Sequence, residues 1–193
     1  MTAALKVPVR MTVAEFLAWN PPGGELWQLV DGEPQAMAPA NRTHGAIQAE
    51  LGHLISSHLA ERESPCSVIV TPGVIPHVNA DINMRVPDLA VTCSAYETEE
   101  AALADPVLVV EILSPSNQAE TWANVWAYTT IPSVQEILVV KTAVIGAELL
   151  RRNSDGTWPK QPVRIESGDL TLASVDFQVP LRALYRTTRL ARP

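Results

Sequence analysis

The run Val107-Leu108-Val109-Val110-Glu111-Ile112-Leu113 constrains this chain more than any other segment. A stretch so apolar and β-branched reads as a strand covered on both faces, of the kind that lies at the centre of a sheet between helices. Glu111 interrupts it. A carboxylate in such a strand is costly unless it is paired, protonated or bound to metal. The strand therefore needs neighbours that compensate this one residue.

The segments around it supply an α/β pattern. Thr12 with Glu15 has the form of a capping box that opens a short helix through Phe16, Leu17 and Trp19, stopping before Pro21-Pro22-Gly23-Gly24. Leu26 to Val30 reads as a strand, Asp31-Gly32 as a hairpin turn, and Gln35 to Met37 as its return. Ala46, Ile47, Leu51, Leu54, Ile55 and Leu59 recur at helical spacing, which predicts the longest helix over Thr43 to Arg62. Short strands are expected at Ser67–Thr71, Val74–Val78 and Val86–Thr92 before the central run. The acidic Glu97, Glu99 and Glu100 fall in a loop. A second helix starts near Asn117, with Trp122, Val125 and Trp126 as its apolar face and Glu120, Asn124 and Tyr128 on another. Strands follow at Gln135–Val140 and Ala147–Arg151, a turn at Ser154-Asp155-Gly156, weaker strands at Val163–Glu166 and Leu170–Leu172, and a terminal segment around Leu181–Tyr185.

With 193 residues the chain suits one domain, residues 1–193. Its 47% apolar and 18% charged residues are those of a soluble globular protein, and no window has the apolar length of a membrane span. Met1 to Met11 lacks the apolar core of a secretory signal despite Lys6 and Arg10, so a cytoplasmic location is expected. Cys66 and Cys93 have no metal-ligand spacing and read as buried thiols. The net charge of -7 opposes a polyanionic partner overall, although bound divalent metal would reverse the sign locally.

Pro87-Asp88 supplies a second carboxylate at the start of the apolar Leu89-Ala90-Val91. If that strand neighbours the central one, Asp88 and Glu111 converge as hard oxygen ligands for Mg²⁺, with the main-chain carbonyl of Ile112 as a further ligand. Such a site suits phosphodiester hydrolysis. The competing reading has Asp88 capping a turn and Glu111 paired with a core arginine such as Arg85. Spacing alone leans to the second, since structural ion pairs perturb buried carboxylates as sites do.

Resemblance changes the balance. Val86-Pro87-Asp88-Leu89 and Val109-Val110-Glu111-Ile112-Leu113-Ser114-Pro115-Ser116 closely resemble the Uma-type family of restriction-endonuclease-like proteins, a branch of the PD-(D/E)XK nuclease superfamily. The likeness runs from Met11-Thr12-Val13-Ala14-Glu15-Phe16-Leu17 through Leu29-Val30-Asp31-Gly32-Glu33 and His44 to Ile137-Leu138-Val139-Val140. It implies a central mixed sheet flanked by helices, Asp88 and Glu111 as metal-binding carboxylates, Mg²⁺ or Mn²⁺ as cofactor and DNA as partner.

Two departures from the family pattern stand out. The family often has a glutamate in the strand before the Asp-Gly turn, where this chain has Gln28. The superfamily's lysine two residues after the catalytic glutamate is here Leu113, and the family's substitute lysine on the following helix falls at Asn124 or Val125. Gln28 and Asn124 thus line the expected site as neutral amides, which stabilise a developing phosphorane charge less than a cation does. Lys141, at the end of the Ile137–Val140 strand, is the nearest replacement cation. His44 and Arg42 at the start of the long helix are candidates for phosphate contact. His53 and His58 lie five apart on different faces and suit no metal. The alternative to a Mg²⁺-dependent DNA endonuclease is an inactive member that keeps the fold to bind nucleic acid or protein, and the terminal segment offers an apolar surface for a homodimer.

Overall fold

Pro106–Leu113 forms β5, a central strand with a neighbour on each side, in a computed structural model that describes residues 10–21, 25–95 and 100–192. The six-stranded sheet has the order β3 (Ser67–Val70), β4 (Leu89–Thr92), β5, β6 (Glu136–Lys141), β7 (Ala147–Arg151), β8 (Val163–Ile165). Only the β5–β6 pair is parallel. A parallel neighbour requires a crossover, and α3 (Gln118–Tyr128) provides it.

Side chains of β5 alternate between two cores. Leu108, Val110 and Ile112 pack with Ile47, Leu51, Ile55 and Leu59 of α2 (Arg42–Glu61). Val109 and Leu113 face the other way, toward Val125 and Tyr128 of α3. Both faces of the strand are thereby covered, as its apolar run requires.

A smaller unit sits at the open end of β4 and β5. The short helix α1 (Val13–Ala18) has the expected capping box, with the Thr12 and Glu15 side chains reciprocating. The hairpin of β1 (Trp27–Val30) and β2 (Glu33–Ala36) turns at Asp31 and Gly32, both at positive φ, 48° and 84°. Two positive φ values make the two-residue turn whose twist matches its strands. Leu29 bridges Met84, which ties the hairpin to the segment that leads into β4.

Three expectations are corrected. Val74–Val78 is not a strand, and Val86–Asp88 precedes β4 rather than opening it; one bridge, Val74 to Arg85, remains. Pro72, Pro76 and Pro87 each lack the N–H a ladder needs, which limits pairing there. The Leu181–Tyr185 segment is a 3₁₀ helix whose Leu181, Leu184 and Tyr185 are buried in the chain's own core, so they offer no surface to a second copy. A further hairpin, β9 (Asp169–Leu172) with β10 (Phe177–Pro180), lays Leu170, Leu172 and Phe177 on the same core.

The third correction concerns the cysteines. Cys66 and Cys93 flank the Ser67–Thr92 pair of the β3–β4 ladder and are joined as a disulfide. Linear spacing carried no sign of a partner 27 residues away across a ladder. Closing a loop of that length stabilises by about 3–4 kcal/mol in the chain-entropy account. Iodoacetamide is accordingly expected to label neither cysteine in protein unfolded without reductant and both after reduction, as read by intact mass. Label on unreduced protein would show free thiols.

Lys6 of the N-terminal stretch, Pro22-Gly23-Gly24, Glu97 and Glu99 lie outside the described residues, while Glu100 is exposed in its loop. Among the described residues, no helix is long and apolar enough to cross a membrane.

Candidate active site

The β4–β5 register pairs Leu89 with Val110. Just before that pair Asp88 comes near Glu111, close enough for its charge to act on the Glu111 carboxyl. Asp88 is fixed there from several sides. Its Oδ2 accepts the Ile112 N–H at 2.6 Å, a donor that would be orphaned because β4 has not yet begun. Its Oδ1 lies 3.1 Å from His44 Nε2, and its main-chain carbonyl accepts from Gln48 Nε2 at 2.8 Å and from the Thr71 N–H at 3.1 Å. The Leu113 carbonyl accepts from Thr142 on the β6 side. Alternation along the strand turns the Ile112 carbonyl the opposite way, toward Asp88.

Glu111 is buried, and Tyr128 Oη donates to its Oε1 at 2.7 Å. Burial first, and then the Asp88 carboxylate, push the Glu111 carboxyl well above the usual glutamate range; hydrogen bonds from Tyr128 and Asn124 oppose this and Glu120 adds to it. Burial also pushes the Tyr128 hydroxyl well up, with Glu111 contributing, which keeps it a donor. The expected Glu111–Arg85 ion pair does not form. Arg85 donates instead to Asn124 Oδ1 at 3.2 Å and to Asn83 Oδ1 at 2.9 Å.

The two amides meet each other. Asn124 Nδ2 lies 3.5 Å from Gln28 Oε1, and Gln28 Nε2 donates to Glu120 Oε1 at 3.0 Å. Gln28 comes from β1 and Asn124 from α3, so the hairpin and the crossover helix close over the carboxylates together.

The face of α3 departs in part from the expected one: Val125 is buried and Trp122 packs against the same core as expected, and Glu120 is exposed. Asn124 and Tyr128 are buried, whereas Trp126 is 43% exposed and Trp122 only partly covered. The physical reason is Glu111: a carboxylate on the sheet face draws Asn124 and Tyr128 inward beside Val125 and leaves Trp126 outward. Glu120, Asn124 and Tyr128 are spaced i, i+4, i+8, and that polar stripe was the signal for Glu120 and Tyr128 as wall residues. Asn117 precedes the helix but does not cap it; its Oδ1 accepts from the Ser114 N–H.

The remaining candidates sit apart from this cluster. Lys141 Nζ is 2.8 Å from Glu148 Oε1, and both line a cavity of about 230 Å³ with Leu113 and Trp122. Arg42 is the exposed first residue of α2. His58 is hydrogen-bonded to the Val175 carbonyl and His53 to Ser57, on separate sides of the helix as expected. Among the described residues, no group of three or more His, Cys, Asp or Glu side chains is arranged to hold a metal ion. What Asp88, Glu111 and the Ile112 carbonyl provide is an oxygen-only set with two carboxylates. Such a set fits Mg²⁺, which keeps several of its waters and takes one or two protein carboxylates.

Fold and site together define a mixed α/β protein with a six-stranded central sheet flanked by helices and two acidic residues, Asp88 and Glu111, where β4 begins beside β5. The Uma2 family profile, described as "Putative restriction endonuclease", matches residues 13–182, and the chain belongs to that family. An uncharacterized protein of Synechocystis sp. is 28% identical over 180 residues, which cover 92% of each chain. A crystal structure from Anabaena variabilis, described as a "putative nuclease belonging to DUF820", superposes with a TM-score of 0.73 at 18% identity, covering 91% of this chain and 97% of that one. It shares the fold.

Proposed function

We propose that this protein is a divalent-metal-dependent endonuclease that hydrolyses phosphodiester bonds in DNA. The observation that carries the reading is the placement of Asp88 beside Glu111, with the Ile112 main chain between them, at the end of β4. Family membership supports a nuclease-like activity.

In this reading Asp88, Glu111 and the Ile112 carbonyl would hold Mg²⁺ or Mn²⁺. Bound there, the cation would supply Lewis-acid stabilisation of the charge that grows on the phosphate. The chain's own residues do the rest. His44 and the Ile112 N–H hold the two Asp88 oxygens in one orientation, and Tyr128 holds Glu111 Oε1. Outer partners of this kind fix ligand geometry. Gln28 and Asn124 present amide dipoles to the site, and Arg42, at the exposed start of α2, is available to a phosphate backbone. Lys141 would contribute a cation only by leaving Glu148.

The test is nicking of supercoiled plasmid by pure protein with Mg²⁺ or Mn²⁺, against a chelator control and against Asp88→Ala. Metal-dependent nicking that Asp88→Ala lacks is the expected result. Equal activity in the two proteins would assign the cleavage elsewhere. Salt-dependent DNA binding with no cleavage would favour the inactive, binding form of the fold, a reading motivated by the neutral Gln28 and Asn124.

A further inference from the structure

Arg85 is held on both sides before its side chain is considered. Its N–H donates to the Val74 carbonyl and its carbonyl accepts from the Val74 N–H, both at 2.8 Å, while Met84 next to it bridges Leu29. The side chain enters the space behind Asn124 and is only 7% exposed. Nη1 donates to Asn124 Oδ1, Nη2 to Asn83 Oδ1, and Nε is buried without a partner. Asn83 is itself clipped to the hairpin turn, accepting from the Asp31 N–H at 2.9 Å and donating to Asp31 Oδ1 at 3.1 Å.

A guanidinium this deeply buried ordinarily has a carboxylate against it. Among the described residues no carboxylate forms an ion pair with Arg85. Carboxylates are reached instead through amides, Asp31 through Asn83 and, toward the site, Glu120 in the order Arg85 to Asn124 to Gln28 to Glu120. A guanidinium only donates and an ionised carboxylate only accepts. The two ends therefore dictate which way each amide points: oxygen toward Arg85, NH₂ toward Glu120. The guanidinium holds the Asn124 oxygen from one side, while Gln28 Oε1 and Glu111 accept on the side of its NH₂ group. A flipped Asn124 would set an acceptor against Gln28 Oε1 and beside Glu111.

We propose that Arg85 is a positioning residue of the candidate site, holding Asn124 so that its NH₂ group, and through it that of Gln28, faces the carboxylates, and serving as the fixed positive charge behind that amide pair. Its effect on turnover rests on the nuclease reading; its effect on the two amides rests on geometry alone. Arg85 acts from behind Asn124 and does not touch substrate.

The experiment compares wild type, Arg85→Met, Arg85→Lys and Arg85→Gln for plasmid nicking with Mn²⁺, and records the side-chain NH₂ signals of Asn124 and Gln28 in ¹⁵N-labelled protein. Folded Arg85→Met is expected to lose about 10- to 100-fold in kcat with KM little changed, the scale of losing a partner that orients a site from outside. In an Asn124→Ala background the same substitution is expected to have no further effect. The Gln28 NH₂ signals should move in Arg85→Met although Gln28 does not touch Arg85, and return toward wild type in Arg85→Lys.

An unchanged kcat in folded Arg85→Met, or an equal loss in the Asn124→Ala background, overturns the proposal. If Arg85→Met does not fold, Lys must retain more kcat than Gln, because it keeps the charge; the reverse order overturns it. A wild-type protein that never cleaves removes the nuclease reading, and the Gln28 signals then decide: movement in the Arg85 variants supports the positioning role, and fixed signals overturn it.

Discussion

Glu111→Gln is expected to end metal-dependent cleavage and, at neutral pH, to raise the midpoint of thermal unfolding. The loss of cleavage should exceed about 100-fold, the upper end for a partner outside the inner set, since the proposed function makes Glu111 one of the two carboxylates that would hold the cation. The gain in stability has a separate cause. Burial and Asp88 raise the Glu111 carboxyl well above its ordinary value, so the folded protein holds a proton there that the unfolded chain has lost over the intervening pH range. Where the native state binds more protons, stability falls as pH rises. The contribution of Glu111 is therefore most favourable below the ordinary glutamate range and declines as pH climbs through the raised value.

Glutamine removes that slope and retains the acceptor for Tyr128 Oη. Thermal melts of both proteins between pH 4 and 8 should diverge progressively with pH, the variant melting higher. In a chain of this size each kcal/mol gained moves the midpoint by about 2–4 °C. Parallel curves would mean that Glu111 titrates alike in the folded and unfolded states.

Charging the amide pair is expected to show strong coupling between Gln28 and Asn124. Asn124→Lys alone brings an ammonium against the buried Arg85 guanidinium, and Gln28→Glu alone brings a carboxylate against Glu120. Each sets a buried charge against a like one, which is expected to destabilise the single variants. In the double variant the two new charges face each other where the amides now stand 3.5 Å apart. The double-mutant cycle in urea should therefore return a favourable coupling near the upper end of the roughly 0.5–3 kcal/mol seen for residues in contact. The double variant is also expected to cleave faster than wild type, because an ammonium stabilises phosphate charge better than an amide does. Additive effects in urea would mean that the two positions do not interact.

This contact alters how the departures from the family pattern read. Taken along the chain, Gln28 and Asn124 are two separate losses, one negative and one positive, 96 residues apart. In the fold the two amides adjoin each other, so whatever charge one position carries is felt at the other.

Lys141 shows the opposite limit. Its place at a strand end was legible, and so was its charge, but the residue that receives that charge lies on the next strand, at Glu148. The helix α3 lies between these cases. Its polar stripe was visible from spacing, whereas the inward turn of Asn124 and Tyr128 beside Val125 depended on Glu111, a residue of another element.

Local physics written in the chain accounts for the Thr12–Glu15 capping box, the Asp31-Gly32 turn, the long amphipathic helix and the doubly covered strand around Glu111. Each depends on residues within a turn or two of one another, or on the plain cost of exposing an apolar run, so the sequence by itself determined them. Tertiary structure alone decided the Cys66–Cys93 bond, the inward face of α3, and the chain from Arg85 through Asn124 and Gln28 to Glu120. Those features rest on cross-strand register and on buried polar groups that find partners only after β1, β5 and α3 have packed together. A buried donor or acceptor must be satisfied by whatever the fold brings within reach, and linear spacing carries no record of that.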